Sequence, residues 1–275
     1  MKKIIIVGLI GLMELAGGVK AQTEVTEEPE TGARLSVSLD KKLTKGWHIN
    51  LEEEVRFDDN FSSFNRFHTT LSTTYKVLPQ LKVGAGYALI NSYNGGVGKF
   101  DTPRHRFFAD VTGTWRYGDW QLSLRERVQL THRTDTFNKY QNPANAWMLK
   151  SRLKVSYKGF RRWTPYGALE VRNTLNAPVI KANYDGTHYV TDAGSQTGEA
   201  GWFLDGFSGV YVNRWRGTLG ASYRIDRENT LEAYLMADYC TDKELDANAE
   251  GTKLKSYVIE KGFKGWLCIS YSYSF

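Results

Sequence analysis

The chain of 275 residues holds only two cysteines and six prolines. Two thiols, Cys240 and Cys268, cannot form a disulfide framework, and neither their spacing nor their context demands that they pair. After residue 21 no apolar run approaches the roughly 18 residues that a membrane-spanning helix needs. Chemical motifs are also missing. His48, His68, His105, His132 and His188 show no metal-ligand spacing. There is no Gly-rich phosphate loop, no G-x-S-x-G turn and no H-E-x-x-H helix. A lipid-active enzyme would need a serine beside a histidine and a polar orienting partner, and nothing in the sequence brings these together. No catalytic residue, metal or cofactor is therefore expected, and strand histidines such as His68 and His105 are expected to serve as hydrogen-bonding groups.

What is present begins with an export signal. Lys2 and Lys3 precede an apolar run over 4–15, interrupted by Glu14, and Val19-Lys20-Ala21 supplies a cleavage site. Residues 1–21 thus read as a signal peptide, with Gln22 the expected mature N-terminus. No cysteine follows the cut to carry a lipid anchor. An exported chain without a spanning helix is either soluble or crosses a membrane as a closed barrel. Aromatics at 13%, 26 glycines and few prolines suit a barrel wall in which only alternate residues touch lipid. They suit a soluble β-protein as well.

Periodicity favours the membrane barrel. Period-two alternation of apolar and polar residues marks eleven segments, at 33–42, 47–57, 67–77, 81–89, 107–117, 120–130, 147–157, 167–171, 215–225, 231–239 and 267–275. Short turns near 43–46, 79–80, 118–119, 159–162 and 226–229 alternate with longer loops at 58–64, 91–103, 173–213 and 242–251. Short periplasmic turns facing long extracellular loops are the asymmetry of a transmembrane barrel. The expected fold is all-β: an antiparallel transmembrane barrel of about 10–12 strands over 32–275, after an N-terminal extension at 22–31. Such barrels have an even strand count, so ten or twelve is expected. Either the first segment lies outside the wall, with the acidic stretch 23–30 a poor strand, or a twelfth hides in 173–213. That region could instead fold as a plug or cap.

Aromatic residues fall at the segment ends. Trp47, Tyr75, Tyr117, Trp120, Tyr157, Tyr223, Tyr273 and Phe275 lie near the short turns. Phe57, Phe67, Tyr87, Phe107, Trp147 and Trp215 lie near the long loops. The sets are about eight to ten residues apart, roughly 20–25 Å for tilted strands, which matches an apolar band between two aromatic girdles. The C-terminal Phe275 ends a strand of the kind that outer-membrane assembly machinery reads.

The polar face is basic. Arg56, Arg66, Arg106, Arg116, Arg125, Arg127, Arg152, Arg172, Arg216 and Arg224 are the main inward candidates, with His68, Lys76, Lys150, Lys154 and Arg214 beside them. Glu52, Glu54, Asp110, Glu170, Glu232 and Asp238 are the acidic companions. Two readings follow: a self-paired ladder filling a narrow bore, or a basic lumen that favours anions. Charges spread over alternate strand positions do not match a nucleic-acid motif, and no nucleic-acid partner is expected. Glu53 and Glu126 break the pattern by landing on the apolar face; a β-bulge turning each inward, or a locally different face assignment, is preferred over a protein-facing or functional carboxylate.

The signal peptide, 35–43 leading to Trp47, Glu54-Val55-Arg56, Arg125-Glu126-Arg127 and the Tyr-rich terminus together resemble domain-of-unknown-function family 2490. The resemblance implies an outer-membrane barrel without an assigned activity, and it supplies no site residues. The expected protein is a monomeric outer-membrane barrel in contact with lipid and its assembly machinery. Its function is a pore or binding barrel for small solutes, with anions favoured, or a closed structural or surface-binding barrel.

Overall fold

The computed structural model describes residues 23–135, 138–183, 188–191, 194–197, 201–247 and 254–275. The expected signal peptide lies outside these. Eleven strands form the wall: β1 (Glu30–Thr44), β2 (Trp47–Asp58), β3 (Ser63–Leu78), β4 (Leu81–Asn94), β5 (Arg104–Tyr117), β6 (Trp120–Arg133), β7 (Asn145–Tyr157), β8 (Trp163–Ala177), β9 (Gly209–Arg224), β10 (Asn229–Ala247) and β11 (Leu254–Ser274). Each pairs antiparallel with the next, and β11 returns to β1. The sheet is therefore a closed barrel with no free wall edge.

The strand count is eleven, not ten or twelve, for a geometric reason. A meander of odd strand number leaves its first and last strands running in the same direction, so closure must be parallel. β11 and β1 pair in this way from Lys264↔Glu30 to Ser274↔Asp40. The first segment lies within the wall. The acidic stretch expected to be a poor strand also contributes, since Thr23–Thr26 pairs parallel with β11 at 258–261. Lys261 donates to Glu24 at 3.0 Å and Lys264 to Glu30 at 2.9 Å. In the loop between β8 and β9, Ile180–Asn183 pairs with Gly201–Leu204 and His188–Thr191 with Gly194–Thr197. Neither pair joins the wall.

Burial is inverted relative to a water-soluble domain. Leu35, Val37 and Leu39 point outward from β1, while Arg34 and Ser38 on the alternate face are buried. The same alternation runs round the wall, so Leu219 is 71% exposed while Asp238 is 1% exposed. A continuous apolar belt of this extent cannot face water, and it fits the lipid-facing band of a transmembrane barrel. Ion pairs identify the interior: Lys154 on β7 reaches Glu232 on β10 at 3.7 Å although two strands separate them in the wall. Only side chains that meet through the bore can do this.

Glu53 and Glu126 correct an expectation. No bulge turns them inward: the register runs unbroken through Val37↔Glu53↔Thr69 and Val111↔Glu126↔Ser151. Both carboxylates are exposed on the outer face. Each is satisfied by the hydroxyl directly opposite, Thr69 donating at 3.0 Å and Ser151 at 2.6 Å. The cross-strand hydroxyl supplies the compensation that a bulge would otherwise have provided. A lipid-facing carboxylate remains unfavourable. Glu126→Leu is therefore expected to stabilise the refolded protein in bilayers by about 1 kcal/mol, measured by equilibrium denaturant unfolding.

Turns at the short-connection end are tight. Gly46 and Gly118 hold φ of +83° and +58°, a region that glycine enters without steric cost. Between β9 and β10, the Asp226 side chain accepts from the Glu228 and Asn229 backbone N–H groups at 2.8 and 2.7 Å. Those donations hold its carboxyl below the usual range. Cys240 and Cys268 are buried and free. Gly86 on β4 has a packing role: a Cβ there would lie 2.3 Å from the ring of Phe108. Arg127 in turn lies 3.9 Å above that ring. Gly86→Val should displace Phe108 and lower stability by about 1–3 kcal/mol, measured as a shift of the denaturation midpoint.

Candidate functional site

The inner wall carries contiguous rows of like charge. Arg66, Arg56 and Arg34 stand directly opposite one another on β3, β2 and β1. Arg127, Lys150, Arg172 and Arg214 do the same across β6, β7, β8 and β9. Like charges directly opposed are destabilising, so the interior needs compensating anions.

Carboxylates supply part of this compensation. Arg56 Nε donates to Glu54 at 2.6 Å, and Arg127 Nη2 to Asp110 at 2.6 Å. Arg216 grips Asp238 through Nε at 2.6 Å and Nη2 at 2.8 Å. This is the planar fork-to-carboxylate geometry that arginine favours. Arg214 adds a second contact to Asp238 at 3.5 Å. Glu170 takes Arg125 at 3.2 Å and Arg216 at 3.8 Å. Arg34 lies 4.2 Å over the Trp266 ring, a cation–π contact.

Among the inward cations that make no ion pair with the described residues are Arg66, Arg106, Lys150 and Arg172. Three of them have neutral partners. Arg66 donates to Asn65, Arg106 to Thr131 at 3.3 Å, and Arg172 to Asn213 at 2.7 Å. Arg56, Arg66 and Arg172 repel Arg106 against a partial offset from Glu54, and Arg106 and Arg172 repel Lys150 against a partial offset from Glu170. Buried donor nitrogens of Arg34, His68 and Arg214 also lack hydrogen-bond partners. The upper bore, towards the long loops, is thus a region of positive charge with donors to spare. Its chemistry fits a small oxyanion.

The positions anticipated from sequence divide between this belt and other parts of the wall. Arg125, Arg127 and Arg216 join the paired ladder with Asp110 and Glu170. Glu232 meets Lys154 across the bore, and Glu52 faces inward beside Glu54. Arg152 faces its like-charged neighbour Arg125. Arg116 and Arg224 sit apart at the turn end, where Arg224 donates to the Arg161 carbonyl at 2.8 Å. Outside, Trp47, Tyr75, Tyr117, Trp120, Tyr157, Tyr223, Tyr273 and Phe275 ring the turn end. Trp120 packs on Tyr157 at 5.1 Å and Tyr273 on Phe275 at 5.6 Å. Phe57, Trp147 and Trp215 lie at the loop end.

Sequence reasoning missed Arg34, Trp163 and Asn213. Alternation with Leu35 marks Arg34 as inward, and Trp163 heads β8 as Trp120 heads β6. Asn213 had no such signal, because its parity matches the outward Trp215. A register shift opposite Arg172/Asn173 turns it into the bore, which is how bulges re-aim side chains.

A family model, "Protein of unknown function (DUF2490)", matches residues 31–187, which cover β1 to β8. The chain belongs to the DUF2490 family. Within this DUF2490 chain the matched stretch carries Arg66, Arg106, Lys150 and Arg172, while β9 to β11 lie beyond it. A solved structure described as outer-membrane expressed OmpT of Vibrio cholerae is similar over 77% of this chain and 57% of that one, at 12% identity and a TM-score of 0.34. The chain thus spans less than two thirds of that protein's length. No curated protein matches it.

Proposed function

We propose that this DUF2490 barrel sits in the bacterial outer membrane and binds small anions in its lumen, passing them between its two ends. The observation that carries the reading is the row Arg127–Lys150–Arg172–Arg214, whose central pair makes no direct ion pair among the described residues. A ring of fixed cations in a low-dielectric wall concentrates anions. At eleven strands the bore falls between small barrels filled by side chains and wide porins, so solutes exchange between cationic stations rather than diffuse through open water. The apolar belt, the two rings of aromatics and the strand ending at Phe275 support the outer-membrane location. They also support contact with lipid and with the assembly machinery. Short turns then face the periplasm and long loops the exterior. No catalysis is proposed.

Proteoliposomes test this by light-scattering swelling. Salts of small anions should enter protein-bearing vesicles faster than protein-free ones. Equal rates in both would overturn passage. A second reading, a closed structural barrel, draws on the Lys154–Glu232 bridge at 3.7 Å through the bore. It predicts equal rates.

A further inference from the structure

At the turn end of the bore lies a cavity of about 450 Å³ lined by Lys76, Lys82, Arg116, Gln121, Thr114 and the Pro79–Gln80 turn. Its side chains come from the inner face of β3, β4, β5 and β6. Lys76 and Lys82 stand directly opposite each other in the register, the unfavourable like-charge arrangement seen higher in the bore. Arg116 is the third cation, and its Nε donates to Gln121 at 3.3 Å. No carboxylate lines the cavity, and none of the three cations has an ion-pair partner among the described residues. The β3–β4 register shifts between Lys76 and Leu78, a bulge of the kind that re-aims side chains beside binding sites. The Thr114 N–H donates to the Gln80 carbonyl at 2.8 Å and fixes the turn against β5.

The field around this mouth is positive. Burial, and then the charge of Arg116, push the ammonium of Lys158, in the β7–β8 turn, below its usual range.

We infer that the Lys76–Lys82–Arg116 vestibule is a capture site for phosphate-type oxyanions carrying two or more charges. Three unpaired cations around one cavity are not neutralised by a monovalent ion. A phosphoryl group offers several acceptor oxygens to the lysines, the guanidinium, Thr114 and Gln121. That group could belong to a free phosphorylated solute or to the headgroup of a neighbouring lipid. The inference deepens the anion reading of the lumen, but it does not depend on passage through the upper bore.

Titration calorimetry with inorganic pyrophosphate, on the refolded full chain in zwitterionic micelles at low salt, tests it. The unmodified protein should bind pyrophosphate. Lys76→Gln/Lys82→Gln/Arg116→Gln should weaken binding by at least about tenfold. A charge-matched variant at turn positions outside the cavity, Lys45→Gln/Arg161→Gln/Arg227→Gln, should leave it unchanged. Heat-modifiable gel migration shows that each variant is folded. Phosphatidylglycerol added to the micelles separates the sources: displacement of pyrophosphate identifies a lipid headgroup, and no displacement a free anion. Absent binding by the unmodified protein, or equal weakening in both triple variants, overturns the site. Loss of the site with vesicle swelling intact leaves the lumen reading standing. Pyrophosphate binding without swelling leaves the site standing and removes passage.

Discussion

Asp238→Ala is expected to destabilise the barrel by about 3–5 kcal/mol, the cost of removing one partner from a buried ion pair. Asp238 is 1% exposed and holds both Arg216 and Arg214. Its loss leaves Arg216 with only Glu170 at 3.8 Å, and Arg214 with no ion pair among the described residues, inside a wall already carrying opposed like charges. Denaturant unfolding of refolded protein in micelles reads the effect. The double variant Asp238→Ala/Arg216→Ala should recover part of the loss, because it removes one of the stranded charges with its partner. Additive losses would show that the fork between Arg216 and Asp238 is not what keeps this part of the bore intact.

Lys150→Glu with Arg172→Glu should have the largest effect on function. These cations occupy the middle of the four-residue row and make no ion pair among the described residues. Reversing both replaces a site for anions with one that repels them. The preference for anions over cations should fall by roughly tenfold or more, the scale on which a charged constriction changes local ion concentration. Permeability ratios in planar bilayers measure it. An unchanged ratio in a folded variant would place selectivity elsewhere in the bore.

Much of the wall was legible in the sequence because strand periodicity is a strong signal when one face meets lipid. Burying Leu35, Val37 and Leu39 would expose Arg34 and Ser38 on the other face, and the reverse arrangement is the one found. The aromatic positions followed from the same alternation. Closure was not legible. Whether β1 joins β11 depends on which edges meet after ten hairpin connections, and no local residue encodes a parallel seam. The facing of Glu53 and Glu126 was misread for a related reason: the hydroxyls that satisfy them, Thr69 and Ser151, lie on the next strand at 16 and 25 residues' remove. The basic character of the lumen was visible in composition. Which cations stay unpaired was not, since Lys150 meets Arg127 and Arg172 only through the register of three strands. Asn213 shows the limit most plainly, because a single bulge reverses its face.

The most direct test of the cationic bore is the reversal potential of the refolded protein in a planar bilayer under a salt gradient. The arrangement of Arg66, Arg106, Lys150 and Arg172 predicts a measurable conductance whose zero-current potential has the sign of an anion-selective path. A cation-selective potential, or a conductance no greater than that of the bare bilayer, would contradict it.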